Sequence, residues 1–147
     1  MNISRLLFAL LLLLAALAGQ AADFKTVGAT PVVLYDAPSL KGNKLFIVPR
    51  GAPLEVVLSY GEWVKVRDIT GDLAWTQAKG LSPKRNVVVK SANVKVKAEA
   101  DESSTTVFVA DKSVILEYLE PAANDWTKVR HRDGLIGYIR NADIWGI

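Results

Sequence analysis

Beyond residue 23, apolar and polar positions alternate in short runs that end in turn residues. Trp63-Val64-Lys65-Val66-Arg67 has a period of two, so Trp63, Lys65 and Arg67 share one face of a strand and Val64 and Val66 the other. Val32–Tyr35, Lys44–Val48, residues 54–60 and Leu73–Gln77 are further apolar or β-branched runs, punctuated by Pro49 and Gly51, by Gly61-Glu62 and by Gly71. The rhythm continues through Val94–Lys97, Thr106–Ala110, residues 114–119, 126–132 and 137–140, with 143–147 as a closing turn or strand. Strands at such short, regular spacing with turn signals between them predict an all-β chain of small barrels or sandwiches. No sustained helical period interrupts them.

These runs fall into two similar halves. Trp63-Val64-Lys65-Val66-Arg67 returns as Trp126-Thr127-Lys128-Val129-Arg130, 63 positions on, and the match carries through Gly71 and Gly134, Leu73 and Ile136, Trp75 and Tyr138, and Leu81 and Ile144. Upstream, an offset of 60 aligns Leu54-Glu55-Val56-Val57-Leu58 with Val114-Ile115-Leu116-Glu117-Tyr118. The same offset sets Val33-Leu34-Tyr35 against Asn93-Val94-Lys95, which predicts a three-residue insertion within the turn-rich residues 120–125. One module copied once is therefore expected, over residues 24–82 and 86–147, joined by a connection around Leu81-Ser82-Pro83-Lys84-Arg85-Asn86. So short a connection predicts that the two units pack together.

The first 22 residues follow another pattern. Met1 to Arg5 carry one positive side chain, Leu6 to Leu17 are unbroken apolar, and Ala18 to Ala22 are small apart from Gln20. This is the layout of a signal peptide, expected over residues 1–21 and cleaved after Ala21. The apolar run is shorter than the roughly 20 residues of a spanning helix, so stable membrane insertion after cleavage is not expected. The protein should be exported, to the periplasm in the first reading and outside the cell in the alternative.

Charge and composition narrow the function. Eighteen Lys and Arg against 15 Asp and Glu give +3 for the whole chain, and loss of Arg5 leaves 17 against 15, or +2. A nucleic-acid partner would demand a denser cationic face. The absence of Cys excludes disulfides, thiol catalysis and Cys-ligated zinc. His131 is the one histidine; with Asp133 it could form part of a nucleophile–His–carboxylate set, but no nucleophile-elbow motif accompanies it, and a solvated hairpin histidine is the simpler reading. Glu99-Ala100-Asp101-Glu102 lacks the glycine and spacing of a calcium loop and reads as a solvated loop. No catalytic residue, metal ligand or cofactor is assigned. Lys84, Arg85, Lys90, Lys95 and Lys97 form a cationic stretch whose acidic neighbours offset it, as expected of a solvated face.

Binding has better material. Tyr and Trp supply rigid contact area with a polar tip where sugars or peptides dock. The candidates are Tyr35, Tyr60, Trp63, Trp75, Tyr118, Trp126 and Tyr138, with Trp145 beyond them and with the repeated Arg67 and Arg130 as cationic partners. Two readings stand for the repeated aromatics: the pairs Trp63/Trp75 and Trp126/Tyr138 line a groove, or they plug the core of each unit.

The run Arg50-Gly51-Ala52-Pro53-Leu54-Glu55-Val56-Val57, followed by Glu62-Trp63-Val64-Lys65-Val66-Arg67-Asp68, Gly71 and Trp75, resembles the bacterial SH3-like domain family. Ala92-Asn93-Val94-Lys95, Trp126-Thr127-Lys128-Val129-Arg130, Asp133-Gly134 and Gly137-Tyr138-Ile139 resemble it again. The first half departs at Val33-Leu34-Tyr35, where the family has an Asn-Val-Arg-like opening, and at Ala74-Trp75 in place of Gly-Trp. The resemblance implies two tandem SH3-like barrels, each partly open and of about five to six strands. It also implies a non-enzymatic binding or targeting module whose partner is a cell-wall fragment such as peptidoglycan, a peptide or an envelope protein. The alternative is a structural protein–protein adaptor of the cell envelope with no affinity for wall polymer.

Overall fold

The computed structural model describes residues 21–147; the expected signal peptide, but for its last residue, lies outside the described residues. The described chain is all-β. Seven strands, β1 (Asp23–Val27), β2 (Val32–Tyr35), β3 (Lys44–Val48), β4 (Pro53–Tyr60), β5 (Trp63–Arg67), β6 (Leu73–Gln77) and β7 (Leu81–Ser82), make one antiparallel sheet in the order β3-β2-β6-β5-β4-β1-β7. Seven more, β8 (Asn86–Val89), β9 (Val94–Lys97), β10 (Thr106–Ala110), β11 (Ile115–Ala122), β12 (Trp126–Arg130), β13 (Ile136–Arg140) and β14 (Ile144–Trp145), repeat it as β10-β9-β13-β12-β11-β8-β14. A single 3-10 turn precedes the last strand of each, Ala78–Gly80 and Asn141–Asp143. Each unit thus has seven strands where the resemblance implied five to six. β14 falls within the closing turn or strand expected over 143–147, whereas β1, β7 and β8 were not expected: β7 has two residues and β8 is apolar on both faces after Asn86.

The alternation visible in the sequence fills each core. Val64, Val66, Leu34, Leu54, Val27, Val32 and Ala74 converge inside the first sheet. Val129, Ile139, Val96, Leu116, Val87, Val89 and Ile144 do so inside the second. Because nearly every strand of a sheet contributes to one cluster, each sheet must curl around its own core. Neither cluster has an aromatic ring among its buried members. Trp63, Trp75 and Tyr138 are half-buried and plug neither core, while Trp126 is buried beside the second cluster without belonging to it. Trp63 shares its face with Lys65 and Arg67 and stands outside the barrel, opposite to Val64 and Val66.

Register shows how closely the halves correspond, and it corrects the sequence alignment. Glu55 faces Arg67 and Glu117 faces Arg130; Tyr35 faces Trp75 and Lys97 faces Tyr138. The offset is thus 62 from β1 through β4, not 60, and 63 from β5 onward. The insertion is one residue, in the hairpin Ala123-Asn124-Asp125 that replaces Gly61-Glu62. Gly61 alone has positive φ in the first hairpin, whereas both Asn124 and Asp125 do in the second, residue types that tolerate that region. Even the register shifts recur at matching places, between Val56 and Leu58 and between Tyr118 and Glu120. Bulges placed alike in both sheets bend them alike.

The two units touch. Phe24 meets Trp145 edge to face, with ring centroids 5.0 Å apart. The Arg85 guanidinium lies 5.0 Å from the Tyr118 ring and 5.8 Å from the Phe24 ring, and its Nη2 donates to the Gly146 carbonyl at 2.8 Å. Asn86 Nδ2 donates to the Gly51 carbonyl at 2.8 Å. Gly146 has φ of 118°, and a Cβ there would stand 2.8 Å from the Asn86 carbonyl, so the junction requires glycine. Arg85 therefore leaves the solvated cationic face expected of it and joins the halves.

Candidate binding cleft

Strand pairing assembles the first unit's aromatics on its outer face. Tyr60 pairs with Trp63, Trp63 with Gln77, Lys65 with Trp75, and Trp75 with Tyr35. Tyr35 packs edge-on against Trp63 at 5.5 Å, and Tyr60 against Trp75 at 6.4 Å. Lys65 Nζ sits 5.8 Å from the Trp75 ring centre, within reach of its negative face. Tyr35 is buried by this cluster, Trp63 and Trp75 are half-buried, and Tyr60 is 66% exposed. Tyr35 is also one wall of a cavity of about 430 Å³, whose other lining includes Thr30, Pro31, Val33, Gln77 and Lys79.

The equivalent place in the second unit is built differently. A cavity of about 320 Å³ is lined by Ala92, Asn93, Lys95, Trp126, Arg140 and Asp143, which occupy the corresponding loop and strand. Lys97 takes the place of Tyr35. It is only 7% exposed, and its Nζ lies 3.3 Å from both the Ser104 carbonyl and Thr106 Oγ1. That corrects the expectation of a solvated lysine: its ammonium ties down the loop that carries Glu102. Glu102 in turn bonds Arg140 at 2.7–2.8 Å, and the guanidinium lies 5.2 Å from the Trp126 ring. Trp126 is consequently 5% exposed. Within the same loop the Asp101 carboxyl is held below its usual range by hydrogen bonds from the Ser103 N–H and hydroxyl.

The remaining candidates scatter. Arg67 Nη1 pairs with Glu55 Oε2 at 2.8 Å and Arg130 Nη1 with Glu117 Oε2 at 3.3 Å, each across neighbouring strands and outside the two cavities. Tyr118 flanks the second core under Arg85, at the junction. Tyr138 is half-buried with Lys128 Nζ 5.9 Å from its ring centre, repeating the Lys65–Trp75 contact. His131 Nδ1 lies 2.8 Å from Asp133 Oδ1, and its ring is tilted against Phe108 with 5.4 Å between centroids. The Leu135 N–H and then His131 hold the Asp133 carboxyl below its usual range. Among the described residues no serine or threonine hydroxyl is bonded to His131, and no group of three acidic or imidazole side chains is placed to hold a metal ion.

Gln77, Lys79 and Thr30 were not singled out from the sequence. Lys65 could have been, because the period of two already set it on the Trp63 face; Gln77 needed the β5–β6 register.

The decisive comparison concerns the strands that carry this cleft. Residues 28–83 match the bacterial SH3 domain family. The matched SH3 segment contains Tyr35, Tyr60, Trp63 and Trp75 and the whole lining of the larger cavity. Two solved structures from Trichomonas vaginalis, NlpC2 and NlpC1, are similar to 88% of this chain at 14% identity, with TM-scores of 0.40 and 0.39. The chain spans about half the length of those structures, 50% and 48%. No curated protein matches it.

Proposed function

We propose that this chain is an exported, non-catalytic binding module of the cell envelope, formed by two copies of the bacterial SH3 domain. In this reading the first copy holds the ligand, a short peptide carried on a cell-wall fragment such as peptidoglycan. The observation that carries it is the difference between two corresponding places: in the first unit Tyr35 lines a cavity and packs on Trp63, with Tyr60 and Trp75 paired on the same outer face, while in the second an Arg140–Glu102 pair lies over Trp126. The open cavity's volume suits a few residues rather than a long polymer. In the cavity lining Tyr35 gives a flat contact surface, Gln77 an amide and Lys79 positive charge for the free carboxylates of a wall peptide, and Tyr60, Trp75 and Lys65 extend that surface on the outer face of the same sheet.

Retention on purified peptidoglycan sacculi tests this. The expected result is salt-sensitive retention that Trp75→Ala weakens about tenfold or more, the loss of a single anchoring aromatic. Tyr138→Ala and His131→Ala should retain it. Background retention that is indifferent to salt, or equal losses from Trp75→Ala and Tyr138→Ala, would overturn the reading. Export is tested separately, by fractionation and by the mass of the processed chain, with Ala22 expected as its first residue.

A further inference from the structure

Strand β3 is an edge: it pairs with β2 and with no other strand. Natural edges are usually protected by charge, proline or burial. Here Leu45, Phe46 and Ile47 occupy its centre, exposed by 43%, 48% and 75%, with Lys44 and Pro49 only at the ends. Phe46 stands opposite the buried Leu34 yet takes no part in the first core. Its counterpart Phe108 packs against the second core and against His131. Asp68 occupies the matching position to His131, and its carboxylate folds back onto its own turn, accepting from the Thr70 N–H and hydroxyl and from the Asp72 N–H. Nothing there covers Phe46. A cavity of about 360 Å³ lies beside it, lined by Phe46, Leu54 and Ile69 and, from the second unit, by Val88 and Ser113, with Asp68 and Asp72 also in the lining and no basic side chain there.

We infer that β3 and this cavity dock an extended segment of a partner protein that adds to the sheet as an eighth strand. The unpaired N–H and C=O groups of an edge strand are matched by another polypeptide backbone, not by a sugar or a lipid tail. The cavity takes an apolar side chain from alternate positions of that segment. The two acidic side chains of its lining select lysine or arginine beside it. The cavity shares no lining residue with the one beside Tyr35, so its test is read separately from the wall-binding reading.

The probe is a synthetic peptide, acetylated and amidated, of sequence Lys-Val-Lys-Leu-Lys-Val-Lys, titrated into the isotopically labelled protein. Amide resonances of Leu45, Phe46, Ile47 and Ile69 should shift in a saturable way. Ile47→Lys, at an exposed site where folding is unaffected, should weaken binding at least tenfold. Asp72→Asn should weaken it about two- to threefold and flatten its salt dependence. A peptide with Glu for Lys, or with Pro for the central Leu, should bind at least tenfold more weakly. Equal binding of either control, shifts confined to Trp63 and Trp75, or no shift at millimolar peptide would overturn the inference. So would a doubling of sedimenting mass abolished by Ile47→Lys without any peptide response, which would give the edge to a second copy of this chain.

Discussion

The two barrels keep aliphatic residues at most matching core positions, while the outer face keeps some pairs, Glu55–Arg67 and Glu117–Arg130 among them, and exchanges others. Leu54 and Leu116, Val66 and Val129, and Leu34 and Val96 occupy matching positions, and all are fully buried. On the outer face Tyr35 is replaced by Lys97, Gln77 by Arg140, and Tyr60 by Ala122. Packing density limits what a core position can accept, so aliphatic volume is kept in both sheets. An outer strand face carries no such limit. Three exchanges there replace an aromatic face by an ion pair laid over a tryptophan in the wall of the second cavity. The ligand chemistry of a repeat can therefore drift while its architecture stays fixed.

The largest expected effect probes what the barrels share. Leu54→Ala and Leu116→Ala should each cost about 2–5 kcal/mol, and the two losses should be similar because the sites are equally buried. Calorimetry or chemical denaturation should show both variants shifting one common transition, since Arg85, Asn86 and Trp145 couple the units. Two separate transitions would break the picture of a joined pair. Gly137→Ala comes next. A Cβ there would stand 2.7 Å from both the Lys97 carbonyl and Val96 Cγ1, so a loss of about 1–3 kcal/mol is expected. The first barrel carries Ala74 at the same place, and Ala74→Gly should cost no more than about 1 kcal/mol. Similar losses from the two exchanges would remove the steric distinction between the halves.

The strands were legible from sequence for the same reason that the cores agree. Val64 and Val66 alternate with charged or aromatic neighbours, and β2, β3, β5 and β6 match the predicted runs residue for residue. Strands β1 and β8 were missed: Asn86-Val87-Val88-Val89 is buried on both faces and alternates with nothing. The upstream offset went astray by two because an even slip keeps inward and outward residues in phase. Only the pairing of Glu55 with Arg67 and of Glu117 with Arg130 resolves it. At the site, Tyr35, Tyr60, Trp63 and Trp75 do come together, whereas Arg67 and Arg130 turn to glutamates that a linear reading could not place beside them. The burial of Lys97 was invisible as well, since it depends on a loop carbonyl and a threonine brought to it by the fold.

A smaller effect sharpens the difference between the clefts. Glu102 and Arg140 form an exposed pair, so Glu102→Ala should change stability by less than about 1 kcal/mol. Its structural effect should be larger. Without its carboxylate partner the Arg140 side chain is free to leave the Trp126 ring, and Trp126 should become accessible to solvent. Acrylamide quenching and the emission maximum of a variant retaining Trp126 as its sole tryptophan report this directly. An unchanged quenching constant would show that Trp126 is covered by packing alone, and the ion pair would then not be what sets the two clefts apart.

The smallest expected effect concerns the turn that leads into the fourth strand of each sheet. Gly51 has φ of 81° in the first barrel, and Ser113 stands at the matching place with φ of 73° in the second. A side chain in that region crowds the following carbonyl, a strain that glycine avoids. Glycine also adds freedom to the unfolded chain, which offsets part of the gain. Ser113→Gly should therefore stabilise the protein by less than about 1 kcal/mol, and Gly51→Ser should destabilise it by a similar amount, since a Cβ there would meet Asn86 Nδ2 only at an ordinary contact distance of 3.5 Å and the backbone angle alone decides. Opposite signs in denaturation midpoints, at unchanged cooperativity, are the expected outcome. Like signs would mean that contacts at the junction, rather than the backbone angle the two turns share, decide which residue each barrel keeps.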